Sequence, residues 1–180
     1  MSDPYQRRSH SEIYRNPWLY VEVHQIVHPT GVAGEHLLVC TPVASGVLVV
    51  EGDDVILERQ PRFGARSHQI EIVKGGADDG ESPLGCAQRE LREELGVTAQ
   101  RWTPLGEAYE IPSIMDHPVT LFLAEELTFG ATDPEQNERI DAVRMPLDAA
   151  LDAAASGEIS DAVTVTALFR YAHARSRRNF

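Results

Sequence analysis

The stretch "VKGGADDGESPLGCAQRELREELGV", Val73 to Val97, decides the fold. Two adjacent glycines lead into an acidic turn, and Ser82 followed by Pro83 marks a helix start, with serine as N-cap and proline at the first helical position. Gly96 is the expected stop. Between these signals Leu84, Ala87, Leu91 and Leu95 recur at three- and four-residue spacings and predict the buried stripe. Glu90, Glu93 and Glu94 fall within an arc of about 100° beside that stripe. Like charges so close weaken an isolated helix by a few tenths of a kcal/mol, so something must offset their repulsion. A glycine-rich turn lets backbone and ligand approach closely, and crowded carboxylate oxygens are the donors that Mg²⁺ or Mn²⁺ takes. A divalent cation would turn the repulsion into coordination.

Outward from this helix the pattern is mostly β. "WLYVEVHQIVHP" alternates apolar and polar residues, and "EHLLVCTP", "GVLVVEG" and "DVILERQ" follow as short strands, the last two joined through Gly52, Asp53 and Asp54. Beyond the helix, "RWTPLGEAYEI", "VTLFLAEEL" and "RIDAVRM" read as strands, and "TFGATDPEQNE" as an acidic loop. Two closing helices are expected at about Pro146 to Ala155 and Asp161 to Arg177. The first residues, to about Asn16, are polar and expected to be loose. The fold class expected is α+β, an α/β/α sandwich with a mixed sheet between helices.

Composition excludes several functions. The 180 residues carry 28 acidic against 16 basic side chains, a net charge of −12, which disfavours nonspecific attraction to nucleic acid or anionic membranes. An anionic substrate would therefore need local cations. No run is long and apolar enough to span a bilayer. The two cysteines, Cys40 and Cys86, form no disulfide framework, and a reducing cytoplasm is the expected location. The seven histidines are scattered and predict no zinc site, although His117 stands out in the loop after Pro112.

At the level of residues, Gly75, Glu81, the run Arg89-Glu90-Leu91, the pair Glu93-Glu94 and Gly96-Val97 match, position by position, the signature of the Nudix hydrolase family. The resemblance implies metal-dependent attack of water on a nucleoside diphosphate linked to another moiety. It makes Glu90 and Glu94 the main metal ligands and Glu93 a further ligand or base. The backbone carbonyl of Lys74 completes the shell, Arg89 holds the glutamates, and Glu81 partners Arg89.

Beyond the signature, "VILERQPRF", "IEIVKGG", Pro112 and the tail from Val143 resemble the branch of ADP-ribose pyrophosphatases and ADP compounds hydrolases. That branch implies cleavage of ADP-ribose or a related ADP compound to release AMP. Hydrolysis of another nucleotide sugar, dinucleotide or RNA 5′ end, or noncatalytic binding, is the alternative. By the same resemblance Arg62 contacts the substrate phosphates, Glu71 the nucleoside side, and Pro112 the substrate. Ser113 and Asp116-His117 depart from the glycine and acid of many ADP-ribose enzymes, while Pro-Ser agrees with the ADP compounds hydrolases. Residues 1–45 are expected to be an N-terminal β extension that pairs across a two-fold axis into a homodimer, and 46–180 the hydrolase domain. With the clustered glutamates engaged by metal, the base is expected from the loop "TDPEQNERI", with Glu138 ahead of Glu135 and with Glu93 or His117 as alternatives.

Overall fold

The computed structural model describes residues 3–133 and 139–178. Seven strands build the central sheet, β4 (Ala44–Glu51), β5 (Asp54–Arg62), β6 (Ser67–Glu71), β7 (Val73–Gly76), β8 (Val97–Tyr109), β10 (Pro118–Phe129) and β11 (Asp141–Pro146). Its main path runs β11-β5-β4-β10-β8, with β6 added on β5 and β7 on β4. β10 runs parallel to β4 and antiparallel to β8, which makes the sheet mixed. A tight turn at Gly52, whose φ of 65° suits a residue without Cβ, joins β4 to β5.

The two faces of this sheet explain its unbroken apolar strands. Val47, Val49, Ile56, Phe122 and Ala124 pack against Ala87, Leu91 and Leu95 of α1 (Pro83–Leu95). On the other face Leu48, Val55, Leu57, Leu121 and Leu123 meet α2 (Leu147–Ser156) and α3 (Ala162–Arg178). A strand covered on both faces loses its polar alternation. The result is the expected helix–sheet–helix sandwich. α3 is tied to the sheet edge by Arg170, whose guanidinium donates to the carbonyls of Leu105 and Glu107 in β8.

Helix α1 begins and ends where its signals lie. The Ser82 side chain accepts from the Gly85 amide, Pro83 opens the helix, and Gly96 closes it in the left-handed conformation. Its buried stripe differs at the first position. Leu84 is exposed although the first turn is tied to the sheet by the Ser45 hydroxyl, which donates to the Pro83 carbonyl at 2.7 Å, and Cys86 and Glu94 are buried instead.

The N-terminal part departs most from expectation. Residues before Asn16 form β1 (Gln6–Arg15), antiparallel to β2 (Tyr20–Val27), which pairs in turn with β3 (Ala33–Cys40). With the two-residue β9 (Met115–Asp116) they make a separate four-stranded sheet. All ten residues of β1 are exposed, so backbone pairing rather than burial holds the strand. Among the described residues no helix is long and apolar enough to cross a membrane.

Candidate active site

Strand β7 delivers the glycine turn to the N-terminal half of α1. A Cβ on Gly75 would lie 1.9 Å from Oε1 of Glu90, so the Glu90 carboxylate occupies the space where a side chain would be. Gly75 has no positive φ. The requirement here is room, not backbone freedom.

Arg89 organises the acids. Its Nε and Nη2 donate to the Glu81 carboxylate at 3.1 and 3.0 Å, Nη1 donates to Glu90 Oε1 at 2.7 Å and Glu93 Oε2 at 3.1 Å, and Nη2 reaches the Gly76 carbonyl at 2.8 Å. The hydrogen bonds it donates to Glu81, then the charge of Glu90, hold the guanidinium well above its ordinary value against partial burial, and Arg89 in turn lowers Glu81. Glu93 and Glu94 stand in the last turn of α1, where the helix dipole disfavours acids. Arg89 and Arg92, the latter donating to Glu93 Oε1 at 3.1 Å, relieve part of that cost.

Glu94 turns the other way, into the interior. It is 5% exposed and its carboxyl group meets that of Glu58, which is fully buried on β5 and accepts from Gln60 Nε2 at 2.5 Å. Burial pushes the Glu58 carboxyl up to about 7, against the lowering hydrogen bonds of Glu94 and Gln60. A protonated carboxyl beside a carboxylate avoids a buried like-charge pair.

Glu90, Glu93 and Glu94, with Lys74, Gly75 and Gly76, line one cavity of about 520 Å³, and the exposed ring of Trp18 stands at its wall. The donor set, three carboxylates beside backbone of a strand end, fits a hard divalent cation in chemistry, and the absent side chain at Gly75 is what lets the Glu90 carboxylate reach that strand end. Among the described residues no three acidic, histidine or cysteine side chains already surround a common point. Two of the three glutamates lean on Arg89 and the third on Glu58, so each carboxylate is oriented by a neighbour before any ion is bound.

A larger cavity of about 770 Å³ adjoins the first and shares Lys74, Gly75, Gly76 and His117 with it. Arg62 and Glu71 stand in its wall, joined by a two-pronged contact, Nε to Oε1 at 3.1 Å and Nη2 to Oε2 at 2.8 Å. Glu71 also meets Lys74 Nζ at 3.1 Å and is almost wholly buried, so its carboxylate is engaged by two cations at the cavity wall. His117 lies at the junction, hydrogen-bonded through Nδ1 to Thr41 Oγ1. Pro112 is elsewhere. The turn in which Ile114 and Met115 amides donate to the Ile111 carbonyl points Ile111 into the large cavity and Pro112 into a third, of about 300 Å³, against His24 and His36 of the N-terminal sheet.

Glu135 and Glu138 lie outside the described residues. The segment before them is anchored to the end of α1, where the Gly130 amide donates to the Gly96 carbonyl at 2.7 Å and that of Asp133 to the Glu93 carbonyl at 2.8 Å. Three features carry no expectation from the sequence: Glu58, Asp161 and the Lys74 side chain. The signal for Glu58 is the unbroken apolar run Val55-Ile56-Leu57 before it, whose lack of alternation suits a strand covered on both faces, as its burial pattern shows.

Comparison with known proteins agrees with this geometry. The NUDIX domain profile matches residues 41–168. The chain is 34% identical over 153 residues to the ADP-ribose pyrophosphatase of Bacillus subtilis (strain 168), covering 83% of this chain and 82% of that protein. Over 123 residues it is 30% identical to the ADP compounds hydrolase NudE of Escherichia coli (strain K12), covering 68% and 66%. The crystal structure of an ADP compounds hydrolase superposes with a TM-score of 0.84 at 25% identity, over 97% of this chain and 95% of that one.

Proposed function

The chain belongs to the NUDIX domain family, and on that premise we propose that it is a pyrophosphohydrolase that splits ADP-ribose or a related ADP compound and releases AMP. The observation that carries this reading is the juxtaposition of two cavities, one walled by Glu90, Glu93 and Glu94, the other large enough for a nucleoside and walled by Arg62. The similarity to the two ADP-compound enzymes supports the substrate class.

A pyrophosphate resists hydrolysis because its anionic oxygens repel an incoming nucleophile. A bound Mg²⁺ or Mn²⁺ supplies charge neutralisation and a more acidic water. In this reading Glu90, Glu94, Glu93 and the Lys74 carbonyl hold that ion. Arg89 presents Glu90 and Glu93 in one orientation by bonding both through the same nitrogen. Arg62 meets the phosphates in an orientation set by Glu71. Glu138 takes the proton of the attacking water, with Glu135 next in line. Pro112 carries Ile111 into the larger cavity and itself lines the neighbouring one, so its part in substrate binding runs through this turn.

Residues 1–45 pair with those of a second copy to form a homodimer, supported by the long exposed edge of β1. Sedimentation or light scattering at micromolar concentration reads this directly. The free, buried Cys40 and Cys86 fit a reducing compartment such as the cytoplasm. The test of the activity is AMP release from ADP-ribose by the purified chain with Mg²⁺ or Mn²⁺, abolished by excess EDTA. Release that persists in EDTA, or no release from any ADP compound with either ion, refutes the reading.

A further inference from the structure

The two cavities meet at Lys74, Gly75, Gly76 and His117. A nucleoside diphosphate with its nucleoside in the larger space and its reacting phosphate beside Glu90, Glu93 and Glu94 has to cross that junction. In a chain of net charge −12 the crossing phosphates need a local cation. Among the described residues, the lysines and arginines lining either cavity are Arg62, Lys74 and Arg89. Arg89 is held by three carboxylates and a carbonyl, and the Arg62 fork lies on Glu71.

Lys74 differs in kind. It is a compact ammonium on a flexible stem, at the junction itself, with Nζ 2.7 Å from Asp161 Oδ1 and 3.1 Å from Glu71 Oε2. Resting on the pyrophosphatase reading above, we propose that the Lys74 ammonium is a phosphate-binding group of this site, which leaves Asp161 to donate to a phosphate oxygen of the nucleoside diphosphate. Asp161 is its holder while the site is empty of ligand.

The surroundings make this exchange inexpensive. Asp161 caps α3, its Oδ2 accepting from the Thr164 amide at 2.8 Å and the Thr164 hydroxyl at 2.6 Å, so it keeps two donors when Lys74 departs. Glu71 likewise keeps Arg62. Thr164 Oγ1 in turn accepts from the Ile72 amide at 2.9 Å, which fixes the capped end of α3 to the chain entering β7. The carboxylates stay in place while the ammonium moves. Burial pulls the Lys74 ammonium down, but Asp161 and Glu71 outweigh it and hold it above its ordinary value, so it is charged when ligand arrives.

The test is calorimetric titration of the full-length chain with ADP-ribose in excess EDTA, where binding is read without turnover. Lys74→Met should weaken binding roughly tenfold or more, the scale of a hydrogen bond between charged groups. Asp161→Asn keeps a good helix cap and removes the competitor for Lys74, so it should tighten binding. Placed on the Lys74→Met background it should not, which separates release of Lys74 from simple loss of a negative charge. The proposal falls if Lys74→Met binds as wild type does, if Asp161→Asn binds no tighter, or if its tightening persists in the double variant. Should Lys74→Met fail to fold, Asp161→Asn alone decides. A wild-type chain that neither binds ADP-ribose nor releases AMP with Mg²⁺ removes the pyrophosphatase reading and this proposal together. One that does both, with Lys74→Met unchanged, removes this proposal alone.

Discussion

Replacing Gly75 with alanine separates the site from the fold more cleanly than removing any acid. The new Cβ would stand 1.9 Å from Glu90 Oε1, 2.0 Å from its Cδ and 2.5 Å from Oε2. All three belong to the far end of a flexible side chain, so the glutamate yields rather than the backbone. To regain van der Waals contact its carboxylate must retreat by about 1.5 Å, which carries it off its 2.7 Å bond to Arg89. Folding loses roughly one charged hydrogen bond at a part-exposed position, about 1 kcal/mol. Chemistry loses far more, because a misplacement of about 1 Å in a catalytic array costs on the order of a hundredfold. The assay pairs thermal melting in EDTA with kcat/KM for AMP release from ADP-ribose in Mg²⁺. Gly76 is the internal control. Alanine there would meet nothing closer than Pro42 Cβ at 3.7 Å, an ordinary contact, so Gly76→Ala should keep most of the activity. Equal kcat/KM in the two variants would refute the argument that Gly75 exists to make room for Glu90.

Glu94→Gln keeps shape and removes a charge from the proposed ion site, so kcat should fall by roughly two orders of magnitude or more while the variant still folds; near-normal turnover would assign Glu94 a structural part only. In metal-free protein the Glu58 carboxyl, raised to about 7 from an ordinary 4.5, binds its proton more tightly folded than unfolded. Stability from this group is therefore full below the unfolded value and lost as pH rises through about 7, a loss on the order of 3 kcal/mol at about 1.4 kcal/mol per unit. Melting in EDTA between about pH 5 and about pH 8 should show this slope in wild type and not in Glu58→Gln; parallel curves would contradict the assignment. Glu138→Gln should lower kcat with little change in metal affinity and Glu135→Gln should do little, whereas full activity in both and in the double variant would return the base to Glu93 or His117.

The parts of the fold that read plainly are those where burial and backbone chemistry agree. Ser82, Pro83 and Gly96 set the ends of α1 through local hydrogen bonds and φ preferences, which depend on no distant partner. β1 was invisible for the opposite reason. Its residues are all exposed, and its existence depends on pairing with β2, a nonlocal fact that leaves no periodicity in "QRRSHSEIYR". Leu84 and Cys86 show that a helical stripe predicts which residues share a face but not which of two neighbouring positions in the first turn meets the sheet. At the site the signature exposes the carboxylates but not their inner partner. Glu58 sits 36 positions before Glu94 in the chain and meets it only because β5 lies under α1. Lys74 was legible through its carbonyl, while its side chain acquires meaning from Asp161, on another helix altogether.

The end of α1 carries a different lesson. A Cβ at Gly96 would meet the Gly130 carbonyl oxygen at 2.6 Å and the Ala131 carbonyl carbon at 2.9 Å, and the residue also adopts a φ of 64°. Both demands are architectural, since the returning chain after β10 is seated on this glycine. In the proposed reading Glu90 and Glu94 answer to chemistry, and Gly96 to assembly of the fold. A chain without the proposed reaction would still be obliged to keep the glycine. The signature's final glycine therefore reports on the fold, and the proposed activity rests on the acids alone.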